Sequence, residues 1–168
     1  MFLRAWRFVT VMLAALTLTM TSAHVLELPQ KMQYDAQMYS AVNTTLYRYF
    51  AIVGGAYTMS SIIAAFVLAF LVRKRRSPFR LSLAGAICLL LAFCSWLLLV
   101  APVNNEIAHA LEIAPESVPS LWMQLRDRWE YGHAVGFIIT LTGFALLVSS
   151  LLVEIPEHFS QERKDIGV

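Results

Sequence analysis

Charged side chains are scarce in this sequence. Only 14% of its 168 residues are Asp, Glu, Lys or Arg, whereas 58% are hydrophobic. Soluble globular domains carry about 25% charged residues, so this composition excludes an ordinary soluble domain. The formal net charge of +2 is too small to indicate nucleic acid as a partner. We therefore expect a single membrane domain that spans residues 1–168, with the lipid bilayer around it.

Cysteine is almost absent, and so are the motifs of nucleotide-binding and repeat proteins. The two cysteines, Cys88 and Cys94, lie six residues apart in one apolar run and so fall on different faces of a helix. This spacing predicts neither a disulfide nor a cysteine metal motif. The chain also has no glycine-rich phosphate loop, no internal repeat and no low-complexity tract, which excludes phosphate-loop enzymes and repeat arrays.

What the sequence does have is four long apolar runs. Crossing a hydrocarbon core of about 30 Å takes roughly 20 helical residues, and each run is long enough: 8–28, 49–72, 81–103 and 132–153. These runs predict an all-α fold, a transmembrane four-helix bundle with up-down-up-down topology. The connections are then two outer links, an inner link and a tail: 29–48, 104–131, 73–80 and 154–168.

Basic residues predict how the bundle is oriented. They precede the first run and fill the short link between the second and the third: Arg4, Arg7, Arg73, Lys74, Arg75, Arg76 and Arg80. By the positive-inside rule both segments are cytoplasmic. With four spans, the N- and C-termini are both expected in the cytoplasm, and the protein in the inner or plasma membrane.

The first run also allows an interpretation as a cleaved signal peptide. Basic residues, a short apolar region and Thr21-Ser22-Ala23 resemble such a segment with its cleavage site. N-terminal sequencing of the mature protein distinguishes the two interpretations, because cleavage would leave a chain that begins at His24. We proceed with an uncleaved span because a polar face runs through it.

Each run carries one stripe of small or polar residues at steps of three and four. Such stripes let helix backbones approach closely inside a membrane, so we expect all four to face the bundle interior. In chain order the stripes are Thr10, Ala14, Thr17, Thr21 and His24, extended by Glu27 and Lys31; Ala51, Gly54, Thr58, Ser61 and Ala65; Gly85, Cys88, Ala92 and Ser95; and Gly136, Thr140 and Gly143.

The segment 126–133, which opens the last run, concentrates charged and aromatic residues. On a helix Arg126, Glu130 and His133 share one face, and Trp129 lies beside them. Charge is costly wherever water is scarce. Since the small-residue stripe continues beneath His133, this charged face is expected to point into the protein.

Helix geometry brings polar groups from all four runs to one end of the bundle. His24 lies 17 residues beyond Arg7, about 25 Å along a helix, and His133 lies 20 residues before Val153, about 30 Å. We therefore predict a polar pocket at the outer end, in which the candidate catalytic residues are His133, Arg126, Glu130, His24 and Glu27 and the candidate ligand-binding residues are Asn104, Asn105, Trp129, Tyr34 and Arg48. The alternative is that these residues form hydrated surface ion pairs worth about 0–1 kcal/mol each.

Three chemistries could use such a pocket, and the spacing leaves all three open. Either histidine could act as a general base, with a glutamate fixing its tautomer and Arg126 stabilising an oxyanion. A metal could be bound by four side chains, His24, Glu27, Glu130 and His133. Two histidines on different helices could instead ligate haem. No cofactor is firmly implied.

Three short motifs resemble the anthrone oxygenase-like family of small four-helix membrane proteins. They close the first run, close the third and open the fourth: His24-Val25-Leu26-Glu27-Leu28-Pro29, Pro102-Val103-Asn104-Asn105 and Arg126-x-x-Trp129-Glu130-x-x-His133. The resemblance implies oxidation of anthrones to anthraquinones without a metal or a flavin. It also implies that His133, Arg126 and Asn104 are the first residues to consider for removing a proton from the substrate.

The sequence thus supports two classes of function. One is a small oxidoreductase-like protein, or a binder, for an apolar aromatic or quinone-type molecule. The other is a non-enzymatic membrane subunit or scaffold whose small-residue stripes pack against a partner. In the second outer link we also expect a short helix from Asn105 to Ile113, capped by Asn104.

Overall fold

A computed structural model describes residues 1–106 and 118–153, except for the side chains of Thr44, Arg48 and residues 118–121. Throughout this part of the chain the only regular secondary structure is helical. The helices are α1 (Phe2–Lys31), α2 (Ala36–Thr45), α3 (Arg48–Leu71), α4 (Arg76–Leu99) and α5 (Val118–Leu152). A further helical stretch at 101–106 continues α4 after Val100.

Four helices are long and apolar enough to cross a membrane, so the protein is a multi-pass membrane protein. The spans are Phe2–Lys31, Tyr49–Leu71, Arg76–Glu106 and Trp122–Leu152. They correspond to the four expected runs; the first and third extend further at both ends, the fourth begins earlier, and the second matches its run to within one residue. The largest difference is that α5 begins at Val118 rather than at residue 132. Its early turns tolerate charge because several of their charged groups are paired, as described below.

At one end of the bundle the four long helices share one buried core cluster. The core cluster there includes Ala14 of α1, Ala65 and Leu68 of α3, Leu89 of α4 and Leu147 of α5, all at most 1% exposed. We call this part the packed half. Two of the small stripe residues, Ala14 and Ala65, are fully buried in this cluster beside larger apolar side chains, which lets the helices approach closely in the absence of a hydrophobic drive between them.

The closest backbone approach in the packed half joins α4 to α5. A Cβ atom added at Gly85 would lie 3.0 Å from the carbonyl oxygen of Gly143 and 2.9 Å from Cγ of Leu147. Both glycines are buried. Any side chain at Gly85 would therefore push the two helices apart.

Hydroxyl groups link the remaining faces of the packed half. The Thr17 hydroxyl donates to Ser61 Oγ at 3.2 Å, which joins α1 to α3. Ser82 and Ser150 lie 2.8 Å apart across α4 and α5. Thr17, Ser61 and Ser150 also contact backbone carbonyls, and Ser82 is satisfied by its contact with Ser150.

The polar stripe predicted on α1 is confirmed by burial. The buried residues of this helix are Thr10, Ala14, Thr17, His24 and Lys31. Thr21 is half-buried. The stripe continues past Pro29, which lies inside α1 without ending it. Lys31 therefore belongs to the interior, although it occupies the last turn.

The connection between α1 and α3 is partly helical, because it contains α2. Asp35 caps α2, because its Oδ1 accepts a hydrogen bond of 2.8 Å from the backbone N–H of Met38. The short helix predicted from Asn105 to Ile113 falls mostly on residues outside the described part of the chain. Of it, only residues 105 and 106 are described, and both are helical.

Candidate functional site

The other end of the bundle encloses a cavity of about 530 Å³. We call this end the cavity half. All four long helices and α2 contribute to its walls: Thr17, Met20, Thr21, His24, Ala36, Tyr39, Ser40, Asn43, Tyr47, Phe50, Ala51, Gly54, Gly55, Thr58, Leu89, Ala92, Phe93, Trp96, Asn104, Trp122, Leu125, Trp129, Gly132, His133, Gly136 and Thr140. Apolar and aromatic side chains with a few polar groups are typical of a small-molecule site of this size.

The two histidines predicted to meet do lie against each other in the cavity wall. Their ring centroids are 4.3 Å apart, with an interplanar angle of 51°. His24 also contacts the rings of Tyr47 and Trp129, at centroid distances of 4.9 and 5.1 Å. Two imidazoles from α1 and α5 therefore share one aromatic environment beside the cavity.

A backbone contact defines the tautomer of His133. Its Nδ1 lies 2.9 Å from the carbonyl oxygen of Trp129, one helical turn earlier. A carbonyl oxygen only accepts, so Nδ1 carries the hydrogen. In the neutral ring Nε2 then bears the lone pair, and this is the nitrogen able to take up a proton. The helix itself thus performs the orienting role that the sequence assigned to a glutamate.

Trp129 connects the histidines to the end of α4. It is 6% exposed, and its indole Nε1 donates a hydrogen bond of 2.9 Å to Asn104 Oδ1. Its ring lies 3.9 Å from that of His133. Two residues predicted to bind a ligand, Asn104 and Trp129, are therefore both in the cavity wall and bonded to each other.

Next to the histidines lies a buried ion pair between α1 and α5. Lys31 Nζ is 2.8 Å from Glu130 Oε1, and the two side chains are 2% and 0% exposed. The Tyr39 hydroxyl of α2 donates to the same carboxylate oxygen at 3.0 Å. Burial, followed by the charge of Glu130, raises the pKa of Tyr39 above its usual value. Tyr39 therefore stays a hydrogen-bond donor at neutral pH.

The Lys31 ammonium group also lies over two aromatic rings of the site. Nζ is 4.6 Å from the centroid of Tyr47 and 4.4 Å from that of Trp129. Each such cation–π contact is worth about 0.5–2 kcal/mol depending on how dry it is. Lys31 thus holds together the aromatic side chains that surround the histidine pair.

Two charged residues predicted for the pocket are directed elsewhere. Arg126 donates to the Met32 carbonyl at 2.9 Å and pairs with Asp127 Oδ1 at 2.9 Å. Its guanidinium also lies 4.7 Å from the Trp122 ring centroid. Glu27 is 38% exposed and 3.9 Å from Lys31 Nζ. Neither Arg126 nor Glu27 lines the cavity. Arg126 lies two turns beyond His133 and Glu27 about one turn beyond His24, where nearer partners are available.

The other predicted ligand-binding residues also differ in position. Asn105 is exposed and Tyr34 is half-buried, and neither is part of the cavity wall. Glu130 is buried but faces Lys31 and Tyr39 instead of the cavity. The side chain of Arg48 lies outside the described part of the structure.

The donor positions do not fit the four-ligand metal site considered above. Across residues 1–106 and 118–153, no three His, Cys, Asp or Glu side chains are grouped closely enough to hold a metal ion. The Lys31 ammonium occupies the Glu130 carboxylate at 2.8 Å. A haem held between His24 and His133 would need a gap between their rings, yet these rings are in contact at 4.3 Å.

Several buried polar atoms near the histidines have no hydrogen-bond partner among the described residues. Two of them, His24 Nδ1 and Tyr47 Oη, belong to residues of the cavity wall. An unsatisfied buried polar group costs about 1–3 kcal/mol. The concentration of such atoms around one cavity is typical of a site that receives water or a polar group of a ligand.

Sequence reasoning gave no role to three residues that build this site: Lys31, Tyr39 and Tyr47. The spacing did place Lys31 on the α1 stripe that faces the interior, but a stripe on one helix does not specify which carboxylate or rings on other helices it meets. Tyr39 and Tyr47 lie in or beside α2, where tyrosines also suit the membrane surface. Only the tertiary contacts with Glu130 and His24 distinguish these roles.

Comparison with known proteins identifies the family. The family model described as anthrone oxygenase matches residues 44–146, which is more than half of the chain. The chain belongs to the anthrone oxygenase family. No curated protein and no solved structure matches it.

The match to the anthrone oxygenase family covers only part of the site. Asn104, Trp129 and His133 lie within the matched residues, whereas His24 and Lys31 precede them. The family-matched part therefore supplies one histidine with its tautomer-defining carbonyl, and α1 completes the aromatic enclosure around it.

Proposed function

We propose that this protein binds a planar, apolar aromatic molecule in the cavity and oxidises it with molecular oxygen, using His133 as the general base. The observation that carries the proposal is the position of His133 in the cavity wall, where Trp129 O holds Nδ1 as a donor and leaves Nε2 as the basic nitrogen. Membership of the anthrone oxygenase family supports an anthrone-like substrate.

The proposed reaction balances with oxygen as the only co-reactant. His133 Nε2 takes a proton from the activated CH₂ carbon of the substrate, and the electron pair remains as an enolate. The carbanion carbon forms a bond to O₂, and the resulting peroxide takes up a proton. Loss of the second carbon-bound hydrogen as a proton, with cleavage of the O–O bond, gives the quinone carbonyl and one water.

The residues around His133 would assist substrate binding without adding a reactant to this scheme. The ring of Trp129 provides a stacking surface, and the contact of His24 with His133 keeps the base in an enclosed, aromatic setting. We assign no step to Arg126 or to Glu130, whose contacts lie away from the cavity.

We further propose the up-down-up-down topology with both termini in the cytoplasm, which puts the cavity half in the outer leaflet. Contacts at the two ends of the helices support it. Trp6, near the start of α1, donates to Ala64 O near the end of α3, and His24, near the end of α1, contacts Phe50 near the start of α3. Basic residues 73–76 lie at the packed end.

The decisive experiment is oxygen uptake by the purified protein in lipid nanodiscs supplied with an anthrone. We expect saturable oxygen consumption with formation of anthraquinone, one to one. His133→Ala should lower kcat by about 100-fold or more, the usual contribution of a general base. Thr142→Ala is the control on the same helix, since Thr142 is exposed and its hydroxyl bonds only within its own turn.

Other outcomes would favour different functions. Equal rates for His133→Ala and the unmodified protein would refute the assignment of the base. Loss of assembly in His133→Ala, with no effect on binding of anthraquinone, would favour a non-enzymatic membrane subunit. An absorption spectrum and metal analysis of the same preparation would detect haem or a bound metal, either of which would overturn the cofactor-free scheme.

A further inference from the structure

The cavity is not equally closed on all sides. Among the lining residues whose side chains the structure describes, four are exposed: Ala51, Gly55, Trp96 and Asn104. Asn104 lies at the end of the bundle, but the other three belong to the facing helices α3 and α4. Ala51 and Gly55 are one turn apart and so share a face of α3. This pattern locates an opening on the side of the bundle, between α3 and α4.

Glycine environments show a tight approach between α4 and α5 and ordinary van der Waals contact between α1 and α3. A Cβ at Gly132 of α5 would lie 2.9 Å from Cγ2 of Val100, and one at Gly85 would lie 3.0 Å from the Gly143 carbonyl, so α4 and α5 are in close contact. A Cβ at Gly54 would meet Met20 of α1 at 3.8 Å. At Gly55, by contrast, an added Cβ has no atom within 4 Å.

The opening is limited above and below by packed side chains. Towards the packed half, Ala65 and Leu68 of α3 belong to one core cluster with Leu89 of α4. Towards the other end, Tyr47 belongs to a second cluster with Val100. The opening therefore has a defined height, and it lies within the apolar spans Tyr49–Leu71 and Arg76–Glu106.

Two parallel rings form one edge of the opening. Phe93 and Trp96 of α4 have centroids 6.4 Å apart and an interplanar angle of only 9°. Both line the cavity, and Trp96 is 36% exposed. Parallel aromatic faces suit the passage of a flat aromatic molecule, because offset stacking is favourable at such distances.

We propose that this gap, framed by Ala51, Gly55, Phe93 and Trp96 and called here the lateral window, admits a planar apolar ligand to the cavity directly from the bilayer. The choice of ligand class rests on the proposed function, but the route does not depend on turnover. A molecule that partitions into hydrocarbon is concentrated beside the lateral window and has no need to cross the aqueous phase.

The test measures entry with a reactive probe. In a Cys88→Ala, Cys94→Ala background, Thr140→Cys places one thiol on the cavity wall at a position that is 1% exposed. N-(1-pyrenyl)maleimide, dissolved in the bilayer of proteoliposomes, then labels this thiol: the sulfur bonds to one alkene carbon and its hydrogen moves to the other. The labelling rate reports how readily a flat aromatic molecule reaches the cavity from lipid.

A matched pair of substitutions isolates the lateral window. Ala51→Phe should slow labelling by about tenfold or more, because a close-packed aromatic ring leaves little room for passage. Ala56→Phe adds the same ring at an exposed position of α3 outside the cavity wall, and should leave the rate unchanged. Trp96→Ala should speed labelling, whereas Leu98→Ala, 74% exposed and away from the cavity, should not.

Two results would overturn the proposal. One is equal labelling of the Ala51→Phe and Ala56→Phe proteins, both of which must first elute as monodisperse species in detergent. The other is labelling of Thr140→Cys by a charged, water-soluble methanethiosulfonate as fast as by the pyrene reagent, which would mean entry from the aqueous end. Window-dependent labelling in a protein that does not oxidise anthrones would refute only the proposed function.

Discussion

The buried pair of Lys31 and Glu130 gives the sharpest test of how the cavity half is held together. Glu130→Gln removes the negative charge but keeps the shape and an oxygen that can accept from Tyr39. The Lys31 ammonium, 2% exposed, then keeps Glu27 at 3.9 Å as its ion-pair partner among the described residues, and that carboxylate is longer-ranged and 38% exposed. Breaking a buried pair by removing one partner costs about 3–5 kcal/mol.

This cost predicts a large shift in the unfolding temperature. For a chain of this size each kcal/mol shifts Tm by roughly 2–4 °C, so Glu130→Gln should lower Tm by roughly 6–20 °C. The control is Glu106→Gln. Glu106 pairs with Arg128 at 3.0 Å, but the side chains are 48% and 44% exposed. A surface pair of this kind is worth about 0–1 kcal/mol.

The assay is thermal unfolding of the detergent-purified protein, followed by tryptophan fluorescence and near-ultraviolet circular dichroism. A double-mutant cycle separates the pair from its surroundings, because Lys31→Met in the Glu130→Gln background removes the uncompensated charge. We expect the double variant to recover most of the lost stability, less the cation–π contacts of Lys31 with Tyr47 and Trp129. Equal Tm shifts for Glu130→Gln and Glu106→Gln, or no recovery in the double variant, would refute the reasoning.

Two further predictions concern packing and pH. Gly85→Ala should destabilise the protein by about 1–3 kcal/mol, because the new methyl meets the Gly143 backbone at 3.0 Å. Gly55→Ala, in open space, should be neutral or stabilising by about 0.5–1 kcal/mol. Chemical unfolding that finds Gly55→Ala less stable than Gly85→Ala would contradict the close approach of α4 and α5. Because burial raises the pKa of Tyr39, the folded chain keeps the proton of the Tyr39 hydroxyl at alkaline pH while the unfolded chain loses it. The free energy of unfolding should therefore fall above pH about 10 by about 1.4 kcal/mol per pH unit. Tyr39→Phe should reduce that slope; an unchanged slope in unfolding measurements across alkaline pH would count against it.

The sequence was sufficient to predict the helical membrane architecture and the meeting of the two histidines. Both followed from periodicity, because the α1 stripe passes through Thr10, Ala14 and Thr17 to His24 at a fixed spacing. Counting residues at the helical rise then put His24 and His133 at one height. Residue spacing and height along the axis are properties of single helices, which a sequence specifies most directly.

Which side chains share a partner could not be predicted in the same way. Arg126 lies on the same face as Glu130 and His133, yet it reaches Met32 O and Asp127, because a long flexible side chain takes the nearest partner. Glu130 could have paired with a histidine, but its carboxylate forms an ion pair with Lys31 instead. Such choices depend on how α1 and α5 are placed relative to each other, which no single-helix pattern contains.

The backbone contact between Gly85 and Gly143 has a consequence for the range of molecules that the protein can accommodate. Where two helices touch through their main chains, no change of side-chain rotamer can alter their spacing, so α4 and α5 are fixed relative to each other at this point. We therefore expect adaptation to larger or smaller guests to involve the spacing of α1 and α3, whose contact near the cavity includes the flexible Met20 side chain against Gly54. Substrate range in this protein should accordingly be tuned by residue 20.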